Sequence, residues 1–177
     1  MTFQRISRAR RKGEDAARKL LDRLGSLTLP IPIKEIAVSE GCIIRSTALD
    51  DELSGMAFIK DGQKFIVYNA IHHVNRQRFT IGHELGHHIM DESILRNSVH
   101  VDRGTLRRDN LSSDGIDSIE IAANAFAASL LMPELRVRAL IPSTIDLEDE
   151  QLVGKLAKSF GVSQAAFTNR VLNLSLS

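Results

Sequence analysis

Residues 83 to 88 read His83-Glu84-Leu85-Gly86-His87-His88, and no other stretch constrains the chain so tightly. On a helix, residues four apart lie one above the other on the same face, so His83 and His87 can reach a single metal ion. Glu84 follows the first histidine directly and points to the edge of that face. There its carboxylate can take a proton from a water beside the metal. The flanks, Asn75-Arg76-Gln77-Arg78-Phe79-Thr80-Ile81 before and Ile89-Met90 after, carry no proline and suit a helix. Gly82 and Gly86 each cost that helix about 1 kcal/mol relative to alanine. Glycines kept in such a place let another backbone or a substrate come close. The alternative is an ordinary histidine-bearing surface helix. Phe79, Ile81, Leu85, Ile89 and Met90 argue against it, because they make the element apolar and buried. Burying two imidazoles and a carboxylate without partners costs several kcal/mol, and a metal removes that difficulty.

This is the H-E-x-x-H pattern of zinc metallopeptidases, and a catalytic zinc takes three protein ligands plus a water. The extended form with glycine at 90 and histidine at 93 fails, since the chain has Met90 and Ser93. The best source of a third ligand is Ile116 to Pro133, an alanine- and leucine-rich run that opens after Ser113-Asp114-Gly115 and is stopped by Pro133. Glu120 shares a helical stripe there with Ala123, Asn124, Ala127, Leu130 and Leu131. A lone carboxylate on an apolar stripe is costly unless something neutralises it. The competing explanation is a first-turn glutamate favoured by the helix dipole. Rival ligands are His88, Asp91, His100 and Asp117. His88 is turned about 100° around the helix from His87.

Two blocks now stand in order. The first is Phe79-Thr80-Ile81-Gly82-His83-Glu84-Leu85-Gly86-His87. The second is Glu120-x-x-Ala123-Asn124-x-Phe126-Ala127-Ala128-x-Leu130-Leu131-Met132-Pro133. Together they resemble the ImmA/IrrE family of metallopeptidases, and the likeness extends more loosely from Ala16 to the C-terminus. The resemblance implies a gluzincin-like core in which His83, His87 and Glu120 bind the metal and Glu84 is the catalytic base. It also implies a protein substrate: a helix-turn-helix repressor of the Xre/cI type, encoded nearby, whose cleavage relieves repression under stress or in mobile elements. Two departures stand out. Gly82 replaces a commoner alanine, and Met90-Asp91-Glu92 stands where many members carry a leucine-histidine pair. Zinc (Zn2+) is the default metal, and a His-His-carboxylate set also accepts manganese (Mn2+) or iron.

At 177 residues, 43% hydrophobic and 25% charged, the chain has the composition of a soluble globular protein of one domain, with room for a small appendage. It has no apolar run near the length of a membrane span and no secretory h-region, so a cytoplasmic location is expected. The single cysteine, Cys42, excludes an internal disulfide framework. A net charge of +1 gives no reason to expect a nucleic-acid partner. Arg5, Arg8, Arg10, Arg11 and Lys12 are nevertheless clustered, and residues 1–13 read as a basic, flexible arm.

The fold class expected is α+β. An amphipathic helix ends at Gly25, and a short helix runs from Ile33 to Glu40. Strands follow at Cys42–Ser46, Leu53–Lys60 and Lys64–Asn69, the last two joined at Asp61-Gly62, a strong hairpin signal. They predict a small antiparallel sheet before the metal helix, with Leu53–Lys60 as the edge that takes up the substrate backbone. Residues 91–115 read as a long polar loop at the cleft rim. The zincin-like core is expected over 1–145. Over 146–177, two helical runs around Gly161-Val162-Ser163 predict a helix-turn-helix-like hairpin packed on it. Lys158, Asn169 and Arg170 are too few for a DNA-binding face, so a structural or substrate-docking role is preferred. Peptide-bond hydrolysis also needs a donor to the oxyanion, for which His88, His100 and Tyr68 are candidates. The contrasting reading is a non-catalytic antirepressor that only sequesters a transcription factor. The intact Glu84 speaks against it.

Overall fold

The computed structural model describes residues 3–96, 98–102, 114–142 and 145–175. It opens with α1 (Phe3–Leu24), a single helix that absorbs the basic stretch expected to be a flexible arm. Arg5, Arg8 and Arg11 sit on its exposed face, while Ala9, Gly13, Ala17 and Leu20 form a buried stripe at helical spacing. That stripe packs along α5 (Asp114–Leu131). A side chain at Gly13 would collide with the carbonyl oxygen of Ala122 and stand 2.8 Å from the Phe126 nitrogen. The small residues are therefore what let the two helices approach.

After α2 (Ile33–Ser39) come β1 (Cys42–Thr47), β2 (Gly55–Lys60) and β3 (Gln63–Asn69). The β2–β3 hairpin turns at Asp61 (φ 51°) and Gly62 (φ 75°), both left-handed, as a tight two-residue turn demands. Ile66 and Tyr68 face the core, and Phe65 and Val67 the other side. The sheet is mixed, where the strand signals alone suggested an antiparallel one. β1 pairs in parallel with β3, and the strand order is β1-β3-β2-β4. The cause is the 48–54 connection, which carries the chain past the position of β3. Buried Asn69 pins it, donating from Nδ2 to the carbonyls of Leu49, Asp50 and Leu53 at 3.3, 3.1 and 2.8 Å.

The expected edge is also corrected. β4 (His100–Asp102) pairs with β2 through Ala57↔His100, Met56↔Val101 and Gly55↔Asp102, so β4 is the outer strand there. It arises inside the stretch read as loop, as does the short helix α4 (Glu92–Leu95). Residues 103–113 of that stretch lie outside the described residues.

α3 (Val74–Met90) lies under the sheet and packs against α5. α6 (Glu134–Leu140) follows Pro133. α7 (Glu150–Phe160) is capped by Asp149, which accepts from the amides of Gln151 and Leu152, and ends at left-handed Gly161. α8 (Gln164–Ser175) turns back on it, with Phe160 and Phe167 stacked at 5.8 Å. Val153, Leu156, Phe160, Phe167 and Val171 belong to the same core as Leu20, Ile66, Ile81, Leu85 and Phe126. Arg78 of α3 donates to the carbonyls of Ile31 and Gly161, tying the hairpin to the metal helix. Among the described residues, no helix is long and apolar enough to cross a membrane.

Candidate metal centre

Every residue of α3 from Thr80 to His88 is buried. Both glycines within that stretch face α5. A Cβ at Gly82 would stand 3.3 Å from that of Ala127, and one at Gly86 would stand 3.0 Å from the Phe126 ring. The close approach swings Glu120 of α5 onto the histidine face. Its Oε2 lies 3.3 Å from His83 Nε2 and its Oε1 3.5 Å from His87 Nε2. The two Nε2 atoms are 3.0 Å apart. Ligands bonded to one tetrahedral zinc at about 2.0–2.1 Å stand roughly 3.3–3.4 Å from each other. The three donor atoms therefore have the spacing that one divalent ion requires.

The far side of each imidazole is also held. His83 Nδ1 is 3.0 Å from Asn124 Oδ1, which fixes the proton on Nδ1 and leaves the Nε2 lone pair facing inward. His87 Nδ1 faces Asp91 Oδ2 at 3.8 Å, an electrostatic contact beyond hydrogen-bond reach. Asp91 in turn accepts from Lys12 Nζ at 2.8 Å. Burial works to raise the Asp91 carboxyl, but His87 and Lys12 outweigh it and hold the group below its usual range. Sequence reasoning assigned neither Asn124 nor Lys12 a part here. Asn124 was legible as a neighbour of Glu120 on one stripe, whereas nothing local marks Lys12.

Glu84 is wholly buried, and among the described residues neither of its carboxylate oxygens has a hydrogen-bond partner. Burial pushes its pKa well above the carboxylate range. His83 pulls the other way, while Asp102 and Glu120 add to the rise. Burial also works against a charged His83, yet Glu120 and Glu84 prevail and raise it to about 9. The pocket thus attracts positive charge strongly, and a metal ion would displace the proton that His83 otherwise holds. Donor spacing and unpartnered buried carboxylate oxygens together fit a bound divalent metal.

The rival ligands separate. His88 Nε2 meets the carbonyl of Phe65 at 2.9 Å and faces the sheet. Asp91 stands behind His87. The side chain of Asp117 lies outside the described residues. His100 enters the cluster: one ligand atom each from His83, His87, His100 and Glu120 lies within 4.8 Å of the others. Asp102 likewise approaches His83 and Glu84. Burial, then His87, depress His100 to about 4.

The family model of the IrrE N-terminal-like domain, a peptidase family, matches residues 39–172. The chain belongs to this family of metallopeptidases. A comparison with curated proteins finds no match. Membership makes the chain a metal-dependent protease, and the His-Glu cluster is a candidate site for the metal such a protease needs. The match begins at Ser39, so α1, with Gly13 and Lys12, lies before the matched span.

Proposed function

We propose that the chain is a zinc endopeptidase that cuts a helix-turn-helix repressor of the Xre/cI type at one exposed site and so relieves repression in the cytoplasm. In this reading His83, His87 and Glu120 hold the metal and Glu84 is the general base. One observation carries the assignment. Three donor atoms stand 3.0–3.5 Å apart, and beside them lies a buried carboxylate with no hydrogen-bond partner among the described residues.

A divalent metal bound there supplies a Lewis acid for the scissile carbonyl and lowers the pKa of water to about 7. Glu84 accepts a proton at a carboxylate oxygen from the attacking water and then delivers it to the leaving amine. Asn124 holds His83 in the tautomer that offers Nε2. Lys12, through Asp91, braces His87.

The substrate class is supported by the resemblance of the two sequence blocks and by the small size of the domain, which leaves little surface for a broad digestive cleft. Specificity then comes from docking away from the metal, with α7 and α8 as the candidate platform. Direct DNA reading by α8 is disfavoured, because Arg170 is buried and donates to the carbonyl of Met132. The test is to incubate metal-replete protein with a co-encoded repressor. A single cut is expected with wild type and none with Glu84→Gln, which cannot accept the proton. A repressor that is bound but never cut, with metal confirmed in place, would favour sequestration.

A further inference from the structure

A peptide bond under attack develops negative charge on its carbonyl oxygen, and a preorganised donor there lowers the barrier. Of the candidates, His88 is bonded to the carbonyl of Phe65. The hydroxyl of Tyr68 accepts from Lys34 at 2.8 Å. His100 is the one that shares the metal cluster. We infer that His100 is a catalytic residue whose Nε2–H donates a hydrogen bond to the scissile carbonyl oxygen, and that it is not a metal ligand. The inference rests on the roles assigned above to Glu84 and the three ligands.

Ring geometry separates a donor from a fourth ligand. Imidazoles that radiate from one tetrahedral ion hold their centroids about 5 Å apart, given bonds of about 2.0–2.1 Å. His83 and His87 obey this, at 4.7 Å and 75°. His100 does not. Its ring lies over that of His87 with centroids 3.8 Å apart, too close for both to radiate from one tetrahedral ion. Its Nδ1 is 3.7 Å from Glu120 Oε1, longer than any separation within the His83–His87–Glu120 set.

What remains is a buried ring nitrogen with nothing to bond. Among the described residues His100 Nε2 has no hydrogen-bond partner, and it faces Glu84 Oε2 across 4.0 Å. Both oxygens of Glu84 are unpartnered too. A buried polar atom left unsatisfied is costly, so such a pair calls for a third polar group between or beside them. A base on one side and a donor on the other is the arrangement that attack on a carbonyl requires. Pairing of β4 with β2 at Ala57↔His100 fixes the backbone that carries the ring. His100 keeps its proton throughout, while Glu84 alone carries the transferred proton from water to amine.

The test uses full-length metal-replete protein, with His100→Ala and His100→Gln, and a peptide drawn from a random-sequence pool by wild-type cleavage. Zinc affinity, read by competition with a chromogenic chelator, is expected to be unchanged in both variants. kcat of His100→Ala should fall about 10²–10³-fold with KM nearly constant, the signature of a lost oxyanion donor. His100→Gln should recover part of it, since the amide retains a donor. A phosphinic analogue of the peptide, tetrahedral at phosphorus, should lose affinity for His100→Ala, while an N-methylated, uncleavable analogue should not. Zinc affinity reduced tenfold or more would make His100 a ligand and overturn the inference. Undiminished kcat in a folded His100→Ala would overturn it as well and leave Glu84 untouched. A metal-bound wild type that cleaves nothing in the pool would sink the peptidase role of Glu84, and that of His100 with it.

Discussion

Replacing Gly13 by alanine sets two effects against each other. In an exposed helix interior the change would stabilise by about 1 kcal/mol, because alanine is the better helix former. Gly13 is not exposed: it lies at the crossing of α1 and α5, and the new methyl would overlap the Ala122 carbonyl and stand 2.8 Å from the Phe126 nitrogen. Both are backbone atoms of a helix, so no rotamer change relieves the clash. The helices must separate until the contact is an ordinary one, loosening the packing of Ala9, Ala17 and Leu20 along the stripe. Overpacking of this kind costs about 1–3 kcal/mol before the helix gain is subtracted, and a rigid backbone obstacle belongs at the upper end. The expected net loss is about 1–2 kcal/mol, or a Tm lower by about 2–8 °C in a domain of this size. Urea unfolding followed by circular dichroism would read it as a lower midpoint at unchanged slope. Lys12 precedes Gly13 and reaches Asp91 behind His87, so metal affinity should fall with stability. A variant more stable than wild type by about 1 kcal/mol would mean that α1 does not pack here as described, because propensity alone would then govern the site.

Glu120→Ala and His87→Ala should each lose metal, measured by elemental analysis after dialysis; tight binding by Glu120→Ala would return Asp91, His100 and Asp117 to contention as ligands. In metal-free protein, stability should decline as pH rises. His83 is raised from 6.5 to about 9, so its contribution is full below pH 6.5 and lost as pH climbs through about 9. Glu84, raised well above 4.5, acts in the same direction, since folding favours its protonated form. Denaturant midpoints from pH 6 to 9.5 check this, and a flat profile or rising midpoints would refute the protonation scheme.

Much of the site was readable because its chemistry is local. His83, Glu84 and His87 lie within one helical turn and a residue, and Glu120 betrays itself as a carboxylate on an apolar stripe. The β2–β3 hairpin was equally legible, since Asp61-Gly62 supplies both left-handed residues from adjacent positions. The misreadings share another cause. The parallel pairing of β1 depends on Asn69 gripping a loop some twenty residues earlier, which no periodicity encodes. β4 is three residues long, too short to alternate visibly within a polar stretch. The first half of α1 looked like a solvated arm because its buried residues are alanine and glycine. Hydrophobic patterning does not score these as core, although their smallness is what brings α1 against α5.

The same blindness to distance explains why the surroundings of the candidate metal centre were harder to read than its candidate ligands. A ligand announces itself by type and spacing, whereas a group that orients a ligand needs only to arrive. Lys12 reaches Asp91 from 79 positions away, and Asp91, a rival ligand by sequence, stands with it behind His87. Asn124 is four residues from Glu120 on the same stripe, and it accepts from His83 one turn along α5. His100 lies in a tripeptide strand whose pairing alone brings it over His87. In each case the sequence supplies a functional atom, and only long-range packing decides whether it faces water or the metal. The fold therefore does more than shelter an H-E-x-x-H helix: α5 delivers Glu120 and Asn124 to it, α1 delivers Lys12 and β4 delivers His100, and those contributions give the site its geometry.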